Sequence, residues 1–210
     1  MRKLIVLSFI SLDGVMQAPG GPQEDESGGF KYGGWTVPYF DEVAGKAMGE
    51  QMGHPFDLLL GRKTYDIFAG YWPHAGEDEP ARSINRARKY VVTHRPVETD
   101  WKVTTPISGD VPGKIKQLKK EDGPELQVHG SGNLIQTLLK NDLVDELWLK
   151  IFPVTLGSGK RLFADGAIPA GFTLTDSRIS PSGVIFCSYA RAGEVKVGSF
   201  ELTPEEARQR

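Results

Sequence analysis

The feature that most limits the fold is a change of pattern near residue 145. Before it, short apolar runs alternate with stretches whose apolar residues recur at three- and four-residue spacing; after it, the runs continue and the helical spacing stops. The runs at 4–10, 57–60, 90–93, 126–129 and 147–154 read as strands, and the first two are apolar on both faces, as in strands covered by helices on both sides. Helical spacing occupies 39–52, 64–72, 80–88, 110–120 and 133–139, the fourth stopped by Asp122-Gly123-Pro124. Past 145, strands are expected at 145–154, 172–179, 184–191 and 195–202, with Ser180-Pro181-Ser182-Gly183 turning two of them into a hairpin. A β-α alternation followed by an all-β stretch predicts an α/β fold: a mostly parallel sheet with antiparallel strands added at one edge. The expectation is one domain over 1–202 and a polar tail over 203–210.

Composition narrows the function. The 210 residues carry a net charge of −2, so no basic field exists to hold nucleic acid. One cysteine, Cys187, excludes an internal disulfide framework. The run 4–10 is too short to span a bilayer and leads into Ser11-Leu12-Asp13-Gly14 rather than a cleavage site. The expected setting is therefore cytoplasmic, with no membrane partner. His54, His74, His94 and His129 lack metal-ligand spacing, so no metal is expected. The segment 17–35, rich in glycine and nearly without apolar residues before Phe30, is long for a plain connection. It reads either as a lid over a site or as a surface insertion.

Two phosphate motifs fail. Gly157-Ser158-Gly159-Lys160 has Val154 where a P-loop needs its first glycine and Arg161 where it needs Ser or Thr. Gly130-Ser131-Gly132 has Ile135 where a dinucleotide fingerprint needs its third glycine, and it lies in the fourth β-α unit rather than the first.

What survives is shared by three strand ends. One run ends at Gly61 before Arg62-Lys63-Thr64, another at Thr93-His94-Arg95, and a third at Gly130-Ser131-Gly132 before a helix. In an open parallel sheet, ligands bind outside the carboxyl ends of the strands, where helix N-termini present free N–H groups to anions. The cations at the second strand end suit a 2′-phosphate and favour NADPH over NADH.

These residues resemble the dihydrofolate reductase superfamily. The resemblance rests on Ser11-Leu12-Asp13-Gly14, Gly61-Arg62-Lys63-Thr64-Tyr65, Val91-Val92-Thr93-His94-Arg95 and His129-Gly130-Ser131-Gly132-Asn133-Leu134, and continues through Asp145-Glu146-Leu147 and Pro153 to Phe163. The branch it most resembles is the reductase domain of bacterial riboflavin-biosynthesis deaminase–reductases, in a stand-alone form.

The resemblance implies a three-layer α/β/α fold, with a mainly parallel eight-stranded sheet and an antiparallel C-terminal hairpin. It implies NADPH as cofactor. Gly61, Arg62, Lys63 and Thr64 would hold phosphates, Thr93, His94 and Arg95 would surround the 2′-phosphate, and Gly130, Ser131, Gly132, Asn133 and Leu134 would wrap the pyrophosphate. For the acid that handles substrate, Asp13 and Asp41 are the candidates and Glu42 the alternative; a carboxyl with a raised pKa would suit that role. The implied reaction is hydride transfer to a C=N or C=O bond of a small heterocyclic or ribosylamino-pyrimidine-like substrate. The competing reading is a non-catalytic nucleotide-binding or small-molecule-sensing module on the same fold. The C-terminal edge strands invite pairing into a homodimer.

Overall fold

The computed structural model describes residues 1–76, 79–97, 101, 103–164 and 167–200. The expected tail 203–210, positions 201 and 202 of the last expected strand, and Glu77 and Asp78 lie outside the described residues.

The strands are β1 (Leu4–Ser11), β2 (Phe56–Gly61), β3 (Lys89–Val92), β4 (Thr104–Ile107), β5 (Glu125–His129), β6 (Glu146–Phe152), β7 (Phe172–Ile179) and β8 (Ile185–Arg191). The helices are α1 (Glu42–Gln51), α2 (Arg62–Tyr71), α3 (Ala81–Arg86), α4 (Val111–Lys120) and α5 (Gly132–Lys140). Among the described residues the strands form one sheet in the order β4-β3-β2-β5-β1-β6-β8-β7. The first six of that order pair in parallel, β8 runs antiparallel to β6, and β7 antiparallel to β8. This is the α/β architecture expected, hairpin included.

Two details differ from the sequence reading. Residues 195–200 form no strand. The eighth strand is instead β4, at the opposite edge, paired only with β3. Its sequence, TTPI, hides it: Pro106 removes a ladder donor, which an edge strand tolerates and a central one does not. No helix among the described residues is long and apolar enough to cross a membrane.

Period-2 alternation sends the two halves of each central strand to different layers. On one face Leu4, Val6, Leu126, Val128, Leu147 and Leu149 meet Ile115 and Leu118 of α4 and Leu134, Ile135 and Leu138 of α5 in a single cluster. The other face carries two separate clusters. One joins Ala44 and Ala47 of α1 to Phe152, Phe186, Phe30 and Trp35; the other joins Leu58 and Leu60 of β2 to Tyr65 of α2, Ile84 of α3 and Trp101.

The segment 17–35 is folded onto the body. Trp35 stacks edge-on against Phe152 with ring centroids 5.4 Å apart, and its indole N–H donates to the Gln17 carbonyl at 2.8 Å. Gln17, buried, donates its amide to the carbonyls of Asp25 and Ser27, each at 2.9 Å, and accepts from the Lys160 backbone N–H at 2.9 Å. One glutamine thus closes the loop internally and ties it to the chain after β6.

Candidate active site

The carboxyl ends of β2, β3 and β5 open into a cleft of about 780 Å³. Its walls include Gly61, Arg62, Lys63 and Thr64 after β2, His94 and Arg95 after β3, and Gly130, Ser131, Gly132, Asn133 and Leu134 after β5. Eleven of the twelve residues expected to hold a cofactor therefore share one cavity. Thr93 is the exception: it is buried, and its hydroxyl both accepts from the Arg95 N–H and donates to the Arg95 carbonyl, each at 3.1 Å, shaping the turn that presents Arg95.

The loops after β2 and β5 are fastened to each other. The Ser131 hydroxyl accepts from the Gly61 N–H at 2.9 Å, and the Thr64 hydroxyl accepts from the Ser131 N–H at 2.9 Å. Gly130 and Ser131 both adopt left-handed backbone, at φ +51° and +55°. A Cβ on Gly130 would come 3.2 Å from the Thr64 hydroxyl oxygen, so the position needs glycine for conformation and for space.

The helices that start here differ from those elsewhere. α1 is capped by the Asp41 side chain and α4 by that of Asp110, and α3, which lacks an N-cap side chain and does not wall the cleft, has its Ser83 N–H taken by the Glu79 carboxylate at 3.2 Å, whereas α2 and α5 have no side-chain cap. Their first-turn N–H groups face the cleft without a protein acceptor of that kind, which is the helix-end arrangement that accepts an anion.

The cations around the cleft are not equivalent. Arg62 donates to Asp66 at 2.8 Å and to the Pro96 carbonyl at 2.6 Å, bracing α2 against the turn after β3. Lys63 and Lys160, from opposite walls, each lie 2.6 Å from Asp25 of the 17–35 segment. Burial raises the Asp25 pKa, but the hydrogen bonds from Lys160, Lys63 and Ser27 outweigh it and hold the carboxyl well below the usual range. Among the described residues, the Arg95 guanidinium makes no hydrogen bond or ion pair, leaving it available to a ligand.

The candidate acids are placed differently. Neither Asp13 nor Asp41 is among the residues walling this cleft. Asp13 accepts from the Ser11 hydroxyl at 2.5 Å and from the backbone N–H groups of Leu156 and Gly157 at 3.1 and 2.8 Å. The Ser11 hydroxyl bond, with those two N–H groups, lowers its pKa to about 2. Asp41 caps α1 through the Ala44 N–H at 2.8 Å and also accepts from the Ser182 N–H at 3.1 Å, and the first of these bonds leads in lowering its pKa. The raised pKa expected of a proton-handling acid is therefore absent from both: each is an ionised acceptor that pins backbone. Glu42 follows in the first turn of α1.

Sequence reasoning passed over Asp25 and Lys160, which close the cleft from the 17–35 segment and from the chain after β6. The first sits in a stretch with no periodicity, and the second in a motif tested only as a phosphate loop. It also passed over Lys150, whose signal is one charge inside the apolar run Leu-Trp-Leu-Lys-Ile-Phe of β6.

Known proteins resemble this chain along most of its length. The uncharacterized protein YyaP of Bacillus subtilis (strain 168) is 30% identical over 136 residues, covering 63% of this chain and 72% of its own. The uncharacterized protein YwjB of the same organism is 27% identical over 167 residues, covering 77% and 83%. Among solved structures, a putative riboflavin biosynthesis protein from Shewanella sp. PV-4 superposes with a TM-score of 0.64 at 22% identity, covering 90% of this chain and 99% of that one. Dihydrofolate reductase from Enterococcus faecalis, complexed with NADP(H), superposes with a TM-score of 0.57 at 14% identity, covering 90% and 96%. At these identities the two structures speak to the fold: a dihydrofolate reductase-like sheet. The model of the RibD C-terminal domain matches residues 2–186, and the chain belongs to that family.

Proposed function

We propose that this protein is an NADPH-dependent reductase that transfers hydride to a C=N or C=O bond of a small heterocyclic or ribosylamino-pyrimidine-like substrate. The observation that carries the reading is the meeting of two helix N-termini without side-chain caps, α2 and α5, with the Arg95 guanidinium on one cleft. Such a set supports binding of a ligand with phosphates at separate points. The residues present fit the cofactor: Gly130 lets the loop after β5 pack directly on Thr64 at the start of α2, and the cleft of about 780 Å³ is of the size that takes a cofactor.

The bound nicotinamide would supply the hydride. This chain's residues do the rest. The N–H groups opening α5, with Gly132 and Asn133, would hold the pyrophosphate; Arg62, Lys63 and Thr64 would face phosphate at α2. Arg95 and His94 would meet the 2′-phosphate, with Thr93 fixing their turn. Asp25 would exchange its hold on Lys63 and Lys160 for one shared with the ligand, drawing segment 17–35 over the cleft and excluding water. Asp13 and Asp41 act in this reading as positioning residues, the first holding the β1 turn to the chain after β6 and the second fixing the start of α1.

The exposed outer strand β7 is also proposed to pair two copies into a homodimer; sedimentation of a monomer at micromolar concentration would end that part of the reading. The reductase reading is tested by fluorescence titration with NADPH and NADH. Wild type is expected to prefer NADPH, and Arg95→Ala to reduce that preference by roughly tenfold, the scale of one charge-assisted contact. Equal affinity for the two nucleotides, unchanged by the substitution, would remove the 2′-phosphate assignment.

A further inference from the structure

The two apolar clusters on the α1 side of the sheet leave a seam between them, and the seam is polar. Lys150 on β6 stands at the register position of Phe9 on β1 and Phe186 on β8, and it is only 2% exposed. Three lysines are buried among the described residues, and the other two are satisfied. Lys89 donates to the Asn85 carbonyl at 2.6 Å and lies over the Trp101 ring; Lys119 donates to the Leu143 carbonyl at 2.8 Å and pairs with Asp145 at 2.6 Å. The Lys150 amine has neither kind of partner among the described residues, only the Phe9 ring with its centroid 5.9 Å away.

A second orphan lies beside it. The Gln51 Oε1 at the end of α1 is buried and accepts no hydrogen bond among the described residues. Lys150 and Gln51 line the same cavity of about 30 Å³, together with His129, Phe9, Met48 and Met52. Native interiors rarely leave one such group unmet, because each costs its full desolvation. Here the Gln51 Oε1, buried and unpaired, shares one small cavity with an amine that has no hydrogen bond among the described residues.

We infer that Lys150 and Gln51 form a buried polar subsite for the amide-like edge of a small ligand, with a carbonyl or anionic oxygen on the Lys150 Nζ and the neighbouring N–H on the Gln51 Oε1. The chemistry follows from the pair. The protonated Lys150 amine supplies only donors and the Gln51 Oε1 only an acceptor, so the matching ligand edge has an acceptor next to a donor. The cavity admits the leading atoms of such a ligand, or one water. Burial lowers the Lys150 amine to about 7, and burial followed by the Lys150 charge lowers His129 to about 3. Of the other titratable groups around the amine, Cys187 on β8 is pushed up by burial, while Glu50 on α1 is turned to Arg178 at 2.9 Å. The inference deepens the reductase reading by giving the substrate an anchor, and it rests on that reading only for which ligand the edge belongs to.

The test uses uracil, a ring with –NH–CO– edges, and 1,3-dimethyluracil, which keeps the carbonyls and lacks the N–H groups. Binding to the full chain is measured by calorimetry without nucleotide, and NADPH binding is measured separately. Uracil is expected to bind wild type, and about tenfold more weakly to Lys150→Met and to Gln51→Leu, the scale of one hydrogen bond lost at each. Dimethyluracil is expected to bind weakly and to ignore Gln51→Leu. Lys150→Met is further expected to raise the melting temperature, the opposite of what removing a structural lysine would do. Uracil binding unchanged in both variants, or absent from wild type with a single ordered water filling the cavity, overturns the inference. Uracil binding that needs Lys150 in a protein that ignores NADPH would keep the subsite and discard the reductase reading; NADPH binding with indifference to uracil would do the reverse.

Discussion

The two faces of the central sheet are built from the same strands yet follow different rules. Under α4 and α5 the inward positions of the central strands are apolar except for the small Ser8 of β1, and the cluster is continuous. Under α1 and α2 the same strands present Gln127 at 0% exposure and Lys150 at 2%, and the apolar residues divide into two groups around them. A buried parallel sheet is normally apolar on both faces. The first face obeys this and carries stability. The second departs from it in one strip, and a protein retains such departures at sites that do something other than fold.

The comparison is broken most directly through its apolar side. Leu126→Ala or Ile135→Ala, each at a fully buried position, is expected to cost about 2–5 kcal/mol in urea-induced unfolding while leaving the residual folded protein's NADPH affinity unchanged. A loss below about 1 kcal/mol at either position would mean that the continuous cluster is not where stability resides. On the cleft, Arg95→Ala is expected to cost roughly 1.4 kcal/mol of NADPH binding and almost nothing in stability, since the guanidinium has no partner to lose among the described residues.

On the polar face, the expected signature is in the pH dependence. The Lys150 pKa falls from 10.5 to about 7 on folding. Between those values the unfolded chain binds a proton that the folded chain does not, so this lysine makes stability rise with pH through that window. Lys150→Met is expected to flatten that rise and to gain most stability near neutral pH and below, as followed by thermal unfolding from pH 6 to 10. Parallel curves for the two proteins would show that the amine is not desolvated.

The smallest effect belongs to the Asp25 clasp, whose lysines are largely exposed. Asp25→Asn is expected to cost less than about 1 kcal/mol in stability, because pairs with exposed lysines are screened. Its folded pKa lies below the normal carboxylate value, so whatever stability it contributes is present at neutral pH and is lost as pH falls through the acid range. An Asn variant with the same acid limb as wild type would show that the clasp does not form.

The sequence carries the comparison unevenly. The central strands and the cleft residues were legible because both are periodic or punctuated: apolar runs end at Gly61, at Thr93 and at Gly130, and a parallel sheet brings such ends to one edge. β4 was not, because Thr104–Ile107 is short and Pro106 argues against a strand unless the edge is known. Residues 195–200 alternate like a strand but belong to no strand among the described residues, as alternation describes a face and not a neighbour. Asp13 and Asp41 were legible as conspicuous acids; each has one local partner, Ser11 and the Ala44 N–H, but the others, Leu156 and Gly157 for one and Ser182 for the other, lie more than a hundred residues away, beyond any local signal. Lys150 was visible as a charge in an apolar run, but only the packing of α1 reveals that it is buried with no hydrogen-bond or ion-pair partner among the described residues.

The central claim is that the strand-end cleft binds NADPH. The most direct test is thermal unfolding of the protein alone, with excess NADPH and with excess NADH. At a hundred times its dissociation constant a ligand adds about 2.7 kcal/mol, and in a chain of this length each kcal/mol moves the midpoint roughly 2–4 °C. The account predicts a rise of several degrees with NADPH, a smaller one with NADH, and loss of the difference in Arg95→Ala. A midpoint that neither nucleotide moves would contradict it.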